Sequence, residues 1–504
     1  MDTHTTITEL SRSRTWPTVW GLAVLTLALT FGLAAEAETV IDDDQITAAI
    51  DGEFIFDDVV DSNVVDISTV DGVVTLSGTA DNLLTKERAA KIAASTVGVR
   101  AVVNRIEVRP RGELTDLELE QAVRGALLED PAADSYELDV AANDGTVTLT
   151  GTVQSWQERQ LSELVAKSVA GVTGVSNDIQ VAYAAERSDF EIKTDVESRL
   201  ANDVLVDDFL ITVEVSDGVV SLGGTAGSLA EKNRAIRDAW VAGTSEVDGS
   251  GLDIEWWARD SMRRETAFSE RTDAEIEEAV RDALIYDPRV LSYQPDVRVS
   301  DGTVTLSGTV DTLEAKRAAE ADTRNVVGVW RVKNLLKVRP PSVVSDADLE
   351  ADVRSAFGSD PYLERWDIEV DASYGFVTLS GTVNTSFEKN RAERIAEGVP
   401  GVTAVLNRLD FDYRWTWKPD WEIEADIHDQ LWWSPFVDAD QVDVNVKHGV
   451  ATLTGTVDTW AEWDAATENA FEGGAKDVRN ELVVTYQFYG PRPLFGAPMY
   501  PHGY

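Results

Sequence analysis

Whatever chemistry this chain performs, it performs without thiols. Its 504 residues include no cysteine and four histidines, two of which, His4 and His502, lie near the ends. Disulfides, thiolate catalysis and cysteine-based zinc sites are therefore excluded, and a catalytic or metal centre would have to be built from carboxylates. The short acidic clusters Asp42-Asp43-Asp44 and Asp438-Ala439-Asp440 lack the twelve-residue spacing of a calcium loop. His428 and His448 fall in separate segments and do not recur elsewhere, so they read as surface residues. No phosphate-binding loop, dinucleotide fingerprint or nucleophile elbow is present. The sequence predicts a non-enzymatic protein with no catalytic residue, no metal and no cofactor.

Two features point to binding instead. Eight of the 15 tryptophans follow residue 365: Trp366, Trp415, Trp417, Trp421, Trp432, Trp433, Trp460 and Trp463. Tryptophan is amphipathic and gathers at membrane interfaces and binding hot spots. Trp421, Trp432, Trp433 and Phe436 are thus candidate lipid contacts, the alternative being that they fill a small core or a seam between domains. The second feature is a strand in which Arg331, Lys333, Lys337 and Arg339 share one parity, with Val332, Leu336 and Val338 on the other and Leu335 breaking the basic row. That row suits anionic lipid; the alternative is an ordinary solvated face.

Overall charge limits the partners. Lys plus Arg number 44 against 90 Asp plus Glu, a formal net charge of −46. Such a chain is no general nucleic-acid binder, because that affinity comes from cations neutralising phosphates. Blanket adhesion to anionic membrane is opposed as well. At 27% charged and 43% hydrophobic the composition is that of a folded protein.

The N-terminus carries an export pattern. Arg12 and Arg14 precede an uncharged stretch from Thr15 to Ala35, followed by Ala35-Glu36-Ala37, the small-residue site of a signal peptide. An uncleaved anchor is the competing reading. Either one places residues from Glu38 onward outside the cytoplasm.

The elements that position these residues repeat six times. Asp301-Gly-Thr-Val-Thr-Leu-Ser-Gly-Thr-Val310 has counterparts beginning at Asp71, Asp144, Asp217, Tyr374 and His448, and the second glycines, Gly78, Gly151, Gly224, Gly308, Gly381 and Gly455, are spaced by 73, 73, 84, 73 and 74 residues. That period suits a small domain rather than a solenoid repeat. Capping boxes at Thr115/Glu118, Ser188/Glu191 and Thr272/Glu275 open a first helix. A strand, an Asp-Gly turn of type I′ and a second strand follow, then a second helix and a last strand: α-β-β-α-β. In the second strand Val304, Leu306, Gly308 and Val310 face the core, and the glycine is expected to admit a closely packed helix. The shared asparagines Asn104, Asn177, Asn334, Asn407 and Asn480 are expected to bend the last strand and bond locally.

This order resembles the BON-domain family of OsmY-like periplasmic proteins. The hairpin motif carries the resemblance, together with a later run such as Val97-Gly-Val-Arg-Ala-Val-Val-Asn-Arg-Ile106 or Val327-Gly-Val-Trp-Arg-Val-Lys-Asn-Leu-Leu336. The third copy departs at Glu246-Val-Asp-Gly-Ser-Gly-Leu252, and the sixth keeps only Asp477-Val-Arg-Asn480 and a His448-Gly449 turn. The resemblance implies an α+β fold, with each domain a three-stranded mixed sheet packed on two helices, in a tandem array of six. The expected boundaries are a signal peptide at 1–37, domains at 38–110, 111–184, 185–256, 272–340, 341–414 and 415–488, a linker at 257–271 and a flexible tail at 489–504. It further implies a periplasmic, non-enzymatic protein of osmotic or envelope stress that contacts phospholipid membrane. The alternative is a scaffold or chaperone-like holdase that binds envelope proteins through many weak sites.

Overall fold

The computed structural model describes residues 41–485 apart from 58, 61–63, 113, 131–137, 259–270, 292 and 412–417. Residues 1–40, where the export pattern is expected, most of the 257–271 linker, Trp415, Trp417 and the tail lie outside the described residues. No described helix is long and apolar enough to cross a membrane.

Unit 4 shows how the repeat folds. Thr272 caps the helix Asp273–Ile285 reciprocally with Glu275, satisfying amide groups that a helix start leaves free. A short helical turn, Pro288–Leu291, leads to strands Asp296–Ser300 and Thr303–Ser307, which pair antiparallel. The second strand resumes as Thr309–Val310, and the helix Leu313–Arg324 follows, capped by Thr312. Strands Arg331–Asn334 and Lys337–Val338 then run parallel to the second strand, which therefore lies in the middle. Val304, Leu306 and Val310 are buried with Ile276, Val280 and Ala319 in one core. The expected three-stranded mixed sheet backed by two helices is present, and each of the six units has its own apolar core.

All six hairpins turn through two consecutive positive φ angles, from 51° and 66° at Asp301-Gly302 to 53° and 81° at Tyr374-Gly375, as a type I′ turn demands. A long-range brace holds these turns. The first residue of the first helix accepts from the turn amides 28 and 29 residues later: Asp43 from Asp71 and Gly72, Asp189 from Asp217 and Gly218, Asp273 from Asp301 and Gly302, Asp420 from His448 and Gly449. In unit 5 Asp346 accepts from Tyr374. Each charge-assisted bond of this kind contributes about 1–2 kcal/mol. We expect Asp273→Ala to speed hydrogen exchange at the Asp301 and Gly302 amides by roughly 10-fold or more, leaving the turns of other units unchanged.

The strand glycine has a different cause from the one expected. No helix crowds it; the backbone itself excludes a side chain. Gly78, Gly224 and Gly455 sit at φ of 114°, 108° and 124°, and a Cβ there would lie 2.0–2.1 Å from the carbonyl oxygen of Val64, Leu210 or Gln441. Those carbonyls belong to residues just before the first strand, so the central strand kinks around its neighbour's entry. The asparagines do what was expected and more. Asn334 accepts from the Leu336 amide two residues on, and its side-chain nitrogen also donates to the Lys316 carbonyl and to Glu320 in the second helix. Asn104, Asn177, Asn407 and Asn480 make equivalent bonds, fastening helix to strand.

The units do not hang as beads on a string. In every unit but the fifth, whose second helix opens with Ser386, the residue opening that helix packs against another unit. Leu83 of unit 1 joins the core of unit 2; Trp156 of unit 2 stacks on Trp240 of unit 3 at 5.1 Å and 7°; Leu229 of unit 3 joins the core of unit 1. Units 1–3 thus close a ring. In the other half, Leu313 of unit 4 packs on the core of unit 5, and Trp460 of unit 6 donates to the Trp330 carbonyl of unit 4 at 2.9 Å. Units 5 and 6 face each other across a cavity of about 520 Å³ lined by Asn390, Arg394, Trp463 and Phe471.

The halves then pair, first with last. The Val97 amide of unit 1 donates to Trp433 of unit 6, and the Ala170 amide of unit 2 to Ser359 of unit 5. Units 3 and 4 exchange two bonds, Val204 to Asn325 and Val327 to Asn202. One unit of each pair places an aspartate after its first helix on an arginine of its second: Asp57–Arg88, Asp203–Arg234 and Asp360–Arg391, each at 2.5 Å. The partner units carry Leu161, Ala318 and Ala465 at the arginine's position.

Candidate binding surface

The basic row predicted from strand parity lies on the outer edge of the unit 4 sheet. Arg331 and Lys333 are partners of Thr303 and Thr305 in the register, and Lys337 of Thr309. Arg331, Lys333, Lys337 and Arg339 are all exposed, while Leu336 is buried beneath them. Among the described residues no carboxylate forms an ion pair with any of the four. Leu335, which interrupts the row, is also exposed. On the opposite edge Arg298 adds a cation whose contact with Asp296 is long, 3.5 Å.

Corresponding strands elsewhere lack this charge. The same four positions are Ala101, Val103, Glu107 and Arg109 in unit 1, where the last two pair with each other at 2.6 Å. They are Gly174, Ser176, Gln180 and Ala182 in unit 2, and Asp477, Arg479, Val483 and Thr485 in unit 6. An unneutralised row of four cations in a chain of net charge −46 is therefore a local property of one sheet.

Sequence reasoning missed the residue at the head of this row. Trp330 is 45% exposed and directly precedes Arg331. Its carbonyl is held by the Trp460 indole, on whose ring Arg324 stacks at 5.0 Å. A lone tryptophan in unit 4 gave no signal beside the cluster in units 5 and 6; its place before a basic strand was the clue. The edge thus offers an amphipathic aromatic followed by two pairs of alternate cations with Leu335 between them.

The aromatic candidates of unit 6 divide. Trp421 and Trp432 stand exposed, at 71% and 43%. Trp433 meets the Trp432 ring edge-on at 4.7 Å, is half-buried and gives its carbonyl to unit 1. Phe436 is half-buried and lines a small cavity between units 6 and 1. Trp433 and Phe436 are therefore seam residues; Trp421 and Trp432 face outward. Of the other described late tryptophans, Trp366 packs against the core of unit 5 and Trp460 and Trp463 against that of unit 6.

Several titratable groups with displaced pKa values lie in units 3 and 5. Burial raises Glu231, Asp238 and Glu397 to about 7. Glu231 accepts from the Asp207 and Gly227 amides and so acts as a loop fastener. His428 and His448 are exposed on separate elements. No group of three or more His, Asp or Glu suited to a metal ion occurs among the described residues.

Comparison with known proteins bears directly on this geometry. The family model described as BON domain matches residues 42–110, 115–183, 188–250, 272–340, 345–413 and 419–486. The chain belongs to the BON-domain family. It is similar to osmotically-inducible protein Y of Escherichia coli (strain K12), 32% identical over 146 residues, which is 28% of this chain and 73% of that protein. Among solved structures, the C-terminal domain of CdsD, a structural protein of the type III secretion system of Chlamydia trachomatis, matches at 13% identity with a TM-score of 0.12, covering 43% of this chain and all of that one. The third BON unit is matched over the shortest range, ending at 250. There a single long strand, Glu246–Ile254, replaces the usual broken pair.

Proposed function

We propose that this six-BON chain is an exported, non-enzymatic binding protein of the cell envelope that contacts phospholipid membrane during osmotic or envelope stress. The exposed edge of unit 4, Trp330 through Arg339, carries the reading. Four cations without acidic partners attract anionic headgroups at about 1 kcal/mol each near the surface. Screening over about 10 Å at 0.1 M salt lets such a row act locally despite a negative whole. Exposed tryptophans, here Trp330, Trp421 and Trp432, suit the headgroup layer. The export pattern at the N-terminus and the similarity to an osmotically inducible relative support the location and the stress.

The test is sedimentation of the full mature chain with vesicles of anionic or purely zwitterionic phospholipid. Replacing Arg331, Lys333, Lys337 and Arg339 together by glutamine is expected to weaken anionic-vesicle binding by about 100-fold or more. Trp421→Ala with Trp432→Ala is expected to remove the part of the binding that survives moderate salt. Unchanged binding by the glutamine variant would remove unit 4 as the contact. No binding to any vesicle would overturn the lipid reading in favour of envelope proteins as the ligand.

A further inference from the structure

The seam that joins the first unit to the last holds more acid than base. Glu53, on the first helix of unit 1, is 7% exposed, and so is Asp57 at that helix's end. From unit 6, Glu468 and Glu472 on the helix Trp460–Glu472 face them. The nearby cations are few. Arg88 is taken by Asp57 at 2.5 Å, and Lys91 reaches Glu468 only at 3.8 Å. Arg394 of unit 5 stands farther along the same cavity, beside Glu468 and Glu472.

The Asn469 side-chain nitrogen donates to Glu472 at 3.0 Å, but two acceptors at the seam are left without donors. Gln430 Oε1 and Asn469 Oδ1 are buried there with no partner. Both line a cavity of about 110 Å³ together with Glu53 and Glu472. Buried acceptors without donors are costly, and a protonated glutamic acid supplies the O–H that a glutamate lacks. The carboxylates gathered here, buried at Glu53 and Asp57 and half-buried at Glu472, and the unpaired acceptors call for the same remedy, protons.

We infer that the contact between units 1 and 6 is a proton-dependent clasp, closed when Glu53 and Glu472 are protonated and released when they ionise. Burial and the facing acids push Glu472 up to about 7 and Glu53 well above the ordinary glutamate range. A raised carboxyl pKa favours the closed form most at acid pH, and that advantage is lost as the pH rises through the closed-state value. Release frees the Val97–Trp433 bond and uncovers Trp433 and Phe436 without unfolding either unit, because each has a separate core.

A chain without cysteine accepts two unique labels, at the exposed positions Asp44 in unit 1 and Asp440 in unit 6. Distances between labels at Asp44→Cys and Asp440→Cys are measured in the full chain from pH 5 to 8.5. A separated population is expected to grow as the pH rises, the opening constant gaining about 10-fold per pH unit for each carboxyl until its closed-state pKa is passed. Far-UV circular dichroism should stay constant throughout. In Glu53→Gln with Glu472→Gln the labels should remain close at every pH, and Glu472→Gln alone should reduce the slope. A pH-independent distance in the unmodified seam, or an unaltered titration in the glutamine variants, would overturn the clasp. The readout contains no lipid, so its result is independent of the membrane reading.

Discussion

Gly224→Ala is expected to destabilise unit 3 by about 3 kcal/mol or more, enough to unfold it in the context of the full chain. At φ of 108° an L side chain is strained by about 1–3 kcal/mol, and the new Cβ would lie 2.1 Å from the Leu210 carbonyl oxygen. That oxygen belongs to backbone at the start of the strand Ile211–Ser216, so it cannot move aside without breaking the ladder. Gly308→Ala in unit 4 provides the control. Its φ is 128°, but the nearest atom to an added Cβ is 3.8 Å away. Only backbone strain applies there, and a loss of about 1–3 kcal/mol is expected. Chemical unfolding followed by hydrogen exchange in each unit separates the two effects. Equal losses at both positions would remove the carbonyl clash as the cause.

Arg234→Met is the second large effect. Arg234 pairs with Asp203 at 2.5 Å and approaches Asp238 at 3.7 Å, and both carboxylates are 7% exposed. Removing one member of a buried pair costs about 3–5 kcal/mol, because the partner charge is left in a poor solvent. Asp238 also bonds Arg199 at 2.9 Å, so it keeps one cation while Asp203 loses its own. Burial already raises Asp238 to about 7. Without Arg234, whose charge holds the Asp238 carboxyl down, that carboxyl shifts further upward, so the variant should recover stability on acidification and lose it toward pH 8. Adding Asp203→Asn should restore most of the loss at neutral pH. Thermal unfolding of the single and double variants at pH 5.5 and 8 checks both statements. A double variant no more stable than the single one would show that Asp203 is not the stranded charge.

Much of the fold was legible because the signals are local. Asp-Gly between alternating strands dictates a turn within four residues, and all six turns take the expected angles. Capping boxes at Thr115, Ser188 and Thr272 formed as the spacing required. The backbone conformation at the strand glycines was not legible, since a period-2 pattern reports which face a residue takes and nothing of its φ. The brace from Asp43, Asp189, Asp273, Asp346 and Asp420 was readable as an acid 28 residues before each turn, yet an aspartate in a helix's first turn has an ordinary dipole explanation.

Closure of the units was not legible. The residues that make it are Leu83, Trp156, Leu229, Leu313 and Trp460. They share a position and change type, so they look like drift between copies rather than a common contact. The site followed the same logic. The basic row was visible because parity is local, and the outward direction of Trp421 and Trp432 was not separable from the seam role of Trp433 and Phe436. That distinction depends on unit 1, more than 300 residues away in the chain.

Ring closure and pairing across halves together account for the neighbours of these six units. Open solenoids lengthen freely because every added repeat finds one neighbour and offers another face. Here units 1 to 3 satisfy one another in a cycle, and each is matched once with a unit of the other half. Among units 1 to 3 the start of every second helix is already covered by a neighbour. The single chain thus resembles the contact pattern of a closed dihedral hexamer, with its six units held together covalently instead of by protein concentration. Dilution cannot dissociate it, and the longer 84-residue interval falls where the chain passes from one ring to the other.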